Sequence, residues 1–351
     1  PQHRPYITMK IITWNIDGLN DDNLSDRTHI ICGCLLSAAP DVILLQEVTH
    51  DTLPYIQTIL TSSGYIATEQ NAPEAPYFCV GYIRSNVKLN AFNRKKFQSP
   101  LAQSRMFRDM IVISAKCTSC KDVLIVCSHL ESCKESSPQR VAQLEECLSM
   151  LAENDGPAFL AGDLNMRDSE AKAAINKVSA HHGRKNCIAD CWVDAGSSQQ
   201  TKITWHLPGS THIKARFDRV YHNKFENVEV CSFELIAGTD DVSGEVLSDH
   251  SAIVLEVGLP QCNVAERPRC LESKSEDTLG HSEEQAKDGT MRRVNESKRA
   301  AEATSNISHE AKRAKMLNAA LSRFHSESNQ LSSTVSPTEK EKDKVHDLTE
   351  M

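Results

Sequence analysis

Short apolar runs alternate with turn signals along the first 258 residues, and they predict a series of strands. The predicted strands span 9–14, 42–45, 65–68, 78–83, 111–115, 123–128, 157–161, 217–221, 228–235 and 251–257. Apolar residues recur at helical spacing over 27–38, 140–151 and, more briefly, 169–178. Many strands with a few interspersed helices predict an α/β fold: two packed sheets with helices on their outer faces.

The composition changes after Pro260. Large apolar side chains become sparse over 262–351, and such a segment buries too little surface to offset chain entropy. We therefore expect one folded domain over 1–258 and a mostly disordered tail over 259–351. Two basic clusters between Lys298 and Lys315 are typical of a bipartite nuclear import signal, although a solvated helix ending near Phe324 would also explain them. We expect the nucleus, with some protein in the cytoplasm.

Composition excludes some classes of protein. The 351 residues carry a net charge of −8, which argues against a general nucleic-acid coat but allows a local basic groove. The 13 cysteines without a secretory signal favour reduced thiols, and the pairs Cys117/Cys120 and Cys187/Cys191 leave zinc as a minor alternative. No apolar run has membrane-spanning length, so we expect a protein that does not enter a membrane. We also expect it to be a monomer. The chain starts at Pro1 without Met, as a fragment would.

Polar side chains collect where the predicted strands begin or end. Asp163 and Asn165 directly follow the buried run 158–162. The same design recurs at Asn15 and Asp17, at Glu47, at His129 and Ser132, at Asp218, and at Asp249 and His250. Carboxylates, amides and imidazoles at one sheet edge can hold a metal ion, activate water and bind phosphate. A single such cluster is more often a turn, but the repetition predicts one cleft.

The ordered motifs carry a family resemblance. They are Thr-Trp-Asn-Ile-Asp-Gly-Leu at 13–19, Leu-Gln-Glu-Val at 45–48, Ser-His-Leu-Glu-Ser at 128–132, Gly-Asp-Leu-Asn-Met-Arg-Asp at 162–168, Arg-Phe-Asp-Arg at 216–219 and Ser-Asp-His at 248–250. Over about residues 8 to 258 the chain resembles the endonuclease/exonuclease/phosphatase superfamily, which has the DNase I-like two-sheet sandwich. The first and third motifs are similar to the branch that hydrolyses 5′-phosphotyrosyl bonds in DNA.

The resemblance implies a role for each matched position. Glu47, aided by Asp17 and Asp249, would hold Mg²⁺, with Mn²⁺ as a substitute. The catalytic set would comprise Asp163 as general base or acid, Asn15 and Asn165 on the scissile phosphate, and His250 oriented by Asp218. The substrate-binding set would comprise His129, Ser132 and Arg167 at the DNA 5′ end, Arg108 on phosphate, and an apolar wall of Tyr77, Trp205 and Phe217. For the aromatic residues, core packing is the competing interpretation.

The expected activity is that of a hydrolase, a 5′-tyrosyl-DNA phosphodiesterase that leaves a 5′-phosphate. Its expected partners are DNA 5′ ends carrying a tyrosine or peptide adduct, including topoisomerase 2 remnants left by abortive cleavage. A phosphodiesterase of the same fold could instead act on abasic DNA, RNA or phospholipid headgroups. A catalytically silent adaptor is the alternative from another class, and it predicts gaps in the polar set.

Overall fold

The structure, a computed structural model, describes residues 6–116, 121–183, 187–208, 212–240 and 244–261. The strands are Tyr6–Asn15 (β1), Val42–Thr49 (β2), Tyr65–Ala67 (β3), Tyr77–Arg84 (β4), Lys88–Lys95 (β5), Met110–Lys116 (β6), Val123–Ser128 (β7), Ala158–Asp163 (β8), Ala189–Asp190 (β9), Trp205–His206 (β10), Lys214–Ala215 (β11), Asp218–His222 (β12), Glu229–Ile236 (β13) and Ala252–Pro260 (β14). The helices are Leu24–Ala38 (α1), Leu53–Ser62 (α2), Ser137–Glu153 (α3), Asp168–His181 (α4) and Cys191–Asp194 (α5). Short 3₁₀ helices lie at Lys134–Ser136 and Gln199–Thr201.

Two six-stranded sheets form the sandwich. The first has the order β13-β14-β1-β2-β4-β3, and the second has the order β5-β6-β7-β8-β12-β9. Each contains one central parallel pair, β1 with β2 and β7 with β8, and the other pairs are antiparallel. The inner faces share one core, in which Ile11 and Leu44 of the first sheet pack with Ile125 and Phe159 of the second.

Helices cover the outer faces. A second cluster joins Leu144 and Leu148 of α3 to Leu160 on the outer face of β8. A third joins Ile31 and Leu35 of α1 to the first sheet. The predicted two-sheet α/β sandwich with helices on its outer faces is therefore confirmed.

The sequence analysis did not predict the short elements β9, β10, β11 and α5, and it also missed two longer ones, α2 and β5. The helix α2 is short and carries Pro54 in its first turn, although Leu53, Ile56 and Leu60 follow helical spacing. The strand β5 lies at the edge of the second sheet and is largely exposed, so it lacks the apolar run that identifies a buried strand.

Several predictions fall outside the described residues. They are the tail over 262–351, its import signal and possible helix, and the pair Cys117/Cys120. The last strand, β14, runs two residues past the predicted domain end at 258. Within the described ranges, no helix is both long and apolar enough to cross a membrane.

Candidate active site

The predicted polar residues converge where strands of both sheets end. Asp163 closes β8, and Asp218 lies directly opposite it at the start of β12. Asn15 closes β1. His250 stands just before β14, where its carbonyl accepts a hydrogen bond from the indole N–H of Trp14 at 3.0 Å. Sheet register therefore brings together side chains that are up to 235 positions apart.

Three side chains converge on one carboxylate oxygen of Asp163. Its Oδ2 lies 3.0 Å from Asn15 Nδ2, 3.1 Å from His129 Nε2 and 3.7 Å from His250 Nε2. Asp163 is only 2% exposed. Burial alone would raise the pKa of this carboxyl, but His129 and His250 together hold it well below its usual range. Asp163 is therefore ionised at neutral pH.

His250 is paired with a second buried carboxylate. Its Nδ1 lies 2.8 Å from Asp218 Oδ2. Burial would lower the pKa of His250, but Asp218, Asp249 and Asp163 raise it well above the usual value. His250 is therefore a protonated imidazole that donates from Nδ1 to Asp218.

His129 is the neutral counterpart of His250. Arg108 donates from Nη1 to His129 Nδ1 at 2.6 Å, so the ring proton is on Nε2, which donates to Asp163. Burial and the charge of Arg108 lower the pKa of His129 to about 4. The guanidinium of Arg108 also lies over the ring of Tyr77, 4.9 Å from its centroid.

Glu47 and Asp17 form an acidic group that is not charge-balanced. Burial, Asp17 and Asp249 raise the pKa of Glu47 to about 7, and burial and Asp249 raise the pKa of Asp17 to about 6. Glu47 Oε1 lies 3.9 Å from His129 Nδ1, which places this group beside the Asp163 cluster. Both residues have positive φ, 55° for Glu47 and 49° for Asp17. A Cβ on Gly18 would lie 2.1 Å from the carbonyl oxygen of Glu47, so only glycine allows this approach.

Arg27 holds the Asp17 loop, and no motif indicated it. The side chain is 3% exposed and donates to five backbone carbonyls, those of Ile16, Asp17, Asn20, Asp22 and Leu247. It also lies 3.9 Å from Asp17 Oδ2. Arg27 therefore fixes the loop after β1 against the segment that leads to His250.

Trp205 is buried and donates a hydrogen bond to Asp249. The indole N–H donates to Asp249 Oδ2 at 2.8 Å, and only 6% of the residue is exposed. Its ring lies 5.2 Å from that of Phe217, which is half-buried. This geometry leaves little of the Trp205 face for a nucleotide, and the apolar wall beside the DNA stays a prediction.

Three predicted residues are less closely joined to Asp163. Asn165 donates from its backbone N–H to Asp163 Oδ1 at 3.1 Å, and its side-chain amide donates to the carbonyl of Leu130. The described contact of the Ser132 hydroxyl is with Met106 Sδ at 3.2 Å. Arg167 forms an ion pair with Glu170, in which Nη1 lies 3.6 Å from Oε1. The roles of Ser132 and Arg167 at a DNA end stay predictions.

Two groups of side chains could hold a cation. Within the described ranges, donor atoms of Asp163, Asp218 and His250 all lie within 4.8 Å of one another, and this group could bind a metal ion. The protonated His250 supplies one positive charge to the two carboxylates of this group. In the second group, Asp17 and Asp249 raise the pKa of Glu47, and Asp249 raises the pKa of Asp17, so these acids repel one another and could hold a cation. Cys187 and Cys191 are not part of a metal-binding group among the described residues.

A two-sheet α/β sandwich with an Asn–Asp–His site at its strand ends defines a class of phosphoryl-transfer hydrolases. The model of the Endonuclease/Exonuclease/phosphatase family matches residues 12–250, and the chain belongs to that family. Tyrosyl-DNA phosphodiesterase 2 of Xenopus laevis is 29% identical over 257 residues, which cover 70% of this chain and 65% of that protein. The Homo sapiens protein of the same name is 30% identical over 219 residues, covering 60% and 56%. The chain thus spans less than two thirds of these relatives.

Solved structures agree with the fold. The structure of D. rerio TDP2 complexed with single strand DNA product has a TM-score of 0.59 at 26% identity and covers 71% of this chain and 98% of that one. Truncated Caenorhabditis elegans TDP2 has a TM-score of 0.60 at 27% identity, covering 72% and 98%.

Proposed function

We propose that this chain is a Mg²⁺-dependent phosphodiesterase that hydrolyses the bond between a tyrosine and a DNA 5′-phosphate. The observation that carries the proposal is the convergence of Asn15, neutral His129 and protonated His250 on one oxygen of Asp163. The similarity to tyrosyl-DNA phosphodiesterase 2 of Xenopus laevis and to the 5'-tyrosyl-DNA phosphodiesterase of Caenorhabditis briggsae supports the tyrosyl-DNA substrate. The proposed product is a 5′-phosphate end, and the proposed setting is DNA repair after abortive topoisomerase 2 cleavage.

Each of three side chains has a separate role in the proposed hydrolysis. His250, kept protonated and oriented by Asp218, donates to a phosphate oxygen and stabilises the charge that develops there. Asn15 has two amide protons; one bonds Asp163, and the other is available to the phosphate. The backbone N–H of Asp17 donates to Asn15 Oδ1 and so fixes this amide orientation. Ionised Asp163 accepts a hydrogen bond from water and takes its proton as the water oxygen attacks phosphorus. The bond between phosphorus and the tyrosyl oxygen breaks, and the phenolate leaves and takes a proton from solvent.

The acidic group suits a divalent cation. Glu47, Asp17 and Asp249 supply carboxylate oxygens, the ligands that Mg²⁺ prefers, and they carry negative charge that nothing in the described contacts fully balances. When bound there, Mg²⁺ would neutralise phosphate charge and polarise the P–O bond.

A direct assay tests the proposal. We expect the protein to cleave a 5′-phosphotyrosyl oligonucleotide faster than an abasic duplex or poly(A), with loss of activity in EDTA and recovery on adding Mg²⁺ or Mn²⁺. Faster cleavage of abasic DNA or poly(A) would assign a different substrate within the same fold. Glu47→Ala should abolish turnover, and retained turnover in that variant would indicate a contaminant and revive the adaptor hypothesis.

A further inference from the structure

Strained backbone collects at the candidate site. Asp17, Glu47 and Asn165 adopt positive φ between 49° and 55°. Phe107 does the same, with φ of 60°, and it is the only aromatic residue that does so in the described part of the chain. This conformation costs free energy, more for a bulky residue than for Asn or Asp, and it persists only where surrounding contacts impose it.

The ring of Phe107 also remains in solvent. Phe107 is 51% exposed, and Leu101 on the same segment between β5 and β6 is 60% exposed. Burying a large ring would stabilise the fold, as would relaxation of the backbone to negative φ. In the structure the ring is exposed and φ is positive, so contacts of the surrounding residues must hold Phe107 in this conformation.

Hydrogen bonds to both neighbours impose this geometry. The N–H groups of Met106 and Arg108 both donate to Ser104 Oγ, at 3.0 and 2.8 Å. The carbonyl of Met106 accepts from the hydroxyl of Tyr77 at 2.9 Å. Arg108 reaches His129 through its side chain. Phe107 is therefore fixed between two residues that contact the site.

A buried carboxylate anchors the segment in turn. Glu131 is 1% exposed and accepts from the Ser104 hydroxyl at 2.7 Å, from the backbone N–H of Arg105 at 3.0 Å and from Gln143 Nε2 at 3.4 Å. Glu131 comes two residues after His129. The same stretch of chain therefore supplies both the imidazole that contacts Asp163 and the carboxylate that holds the segment bearing Phe107.

We propose that Phe107 is a specificity-determining residue whose ring stacks on a planar ring of the substrate. This inference rests on the proposed function, in which the substrate offers two such rings, the phenol of the tyrosyl group and the terminal base. Arg108, the next residue, contacts His129, which contacts Asp163, so the backbone that carries the exposed ring is one residue away from a side chain of the site. A rigid aromatic side chain at a rim gives grip without sequence readout.

The test is Phe107→Gly, because glycine accepts the positive φ and removes only the ring. On a 5′-phosphotyrosyl oligonucleotide we expect kcat/KM to fall about 5- to 100-fold, mainly through KM. Phe107→Trp should keep most of the efficiency. Lys224→Gly is the matched control, since Lys224 is exposed, has φ of 48° and follows the end of β12 opposite to Asp218.

Two further substrates show which substrate ring Phe107 contacts. One carries an alkyl leaving group in place of the phenol, and the other lacks the terminal base. If the penalty vanishes with the first, Phe107 stacks on the phenol; if it vanishes with the second, it stacks on the base. A penalty that persists with both, equal values for Phe107→Gly and the parent protein, or an equal loss in Lys224→Gly would overturn the inference.

If the proposed function is wrong, the parent protein itself does not cleave the phosphotyrosyl oligonucleotide. Binding of that oligonucleotide in EDTA, followed by fluorescence anisotropy, then decides the inference: weaker binding by Phe107→Gly than by Lys224→Gly supports it, and equal or undetectable binding overturns it.

Discussion

Replacing Glu47 with glutamine removes one negative charge and keeps the size of the side chain. Burial and the neighbouring carboxylates raise the pKa of Glu47 from 4.5 to about 7, and 16% of its side chain is exposed. At 1.36 kcal/mol per pKa unit, the ionised carboxylate destabilises the metal-free fold by about 3 kcal/mol at most. Glu47→Gln should therefore stabilise the metal-free protein while destroying its metal site.

The pH dependence gives the sign of this effect. Because the folded protein holds the Glu47 proton more tightly than the unfolded chain, stability from this group is complete below pH 4.5 and is lost as the pH rises to about 7. The variant has no such proton to lose. The advantage of Glu47→Gln should thus be near zero at pH 4.5 and reach its full value, about 1–3 kcal/mol, by pH 8.

Urea denaturation in EDTA at pH 5 and pH 8 measures the difference, and Glu74→Gln, an exposed carboxylate, is the control. Mg²⁺ should reverse the order, since a ligand that binds only the folded state stabilises the parent protein and not the variant. A Glu47→Gln protein that is less stable than the parent at pH 8, or equally affected at both pH values, would refute the assignment of repelling acids at this position.

Three further substitutions test separate parts of the site. Asp163→Asn should lower kcat about 100-fold or more, and it should also lower thermal stability, because the ionised carboxylate is stabilised by His129 and His250; steady-state kinetics and calorimetry measure the two effects. Trp205→Phe removes the hydrogen bond to Asp249 and should raise the Mg²⁺ concentration for half-maximal activity, with a stability loss of about 1 kcal/mol. Gly18→Ala should reduce activity at least tenfold with a retained circular dichroism spectrum, since the added Cβ displaces the Glu47 carbonyl. Gly33→Ala, in open space within α1, should be neutral or stabilising.

The sequence predicted elements that have an apolar signature and missed those that lack one. The buried strand β8 is a continuous apolar run that ends at Asp163, so both the strand and the carboxylate at its end could be recognised. The exposed edge strand β5 has no such run. Arg27 could not be found, because its partners are backbone carbonyls, which leave no trace in residue identity.

Side-chain roles were harder to predict than positions. Trp205 lies opposite His250 in an isolated bridge that buries the ring and directs the indole N–H to Asp249, a contact that the sequence did not indicate; its place beside substrate stays a prediction. Glu131 was noticed only as part of a motif, and its function as a support for the segment bearing Phe107 depends on loop geometry that no periodicity encodes. Import through Lys298 to Lys315 stays a prediction.

The charges of the site are divided in a way that suits a phosphodiester. Around Asp163, the protonated His250 places one positive charge beside Asp163 and Asp218, where the proposed mechanism puts a phosphate oxygen. Around Glu47, neighbouring carboxylates add to the negative charge, and the proposed function places a cation from solution there. A phosphate placed between the two would meet fixed imidazolium on one side and bound cation on the other. Because the cation reduces the repulsion among the acids as it binds, metal binding and phosphate binding should reinforce each other at this site.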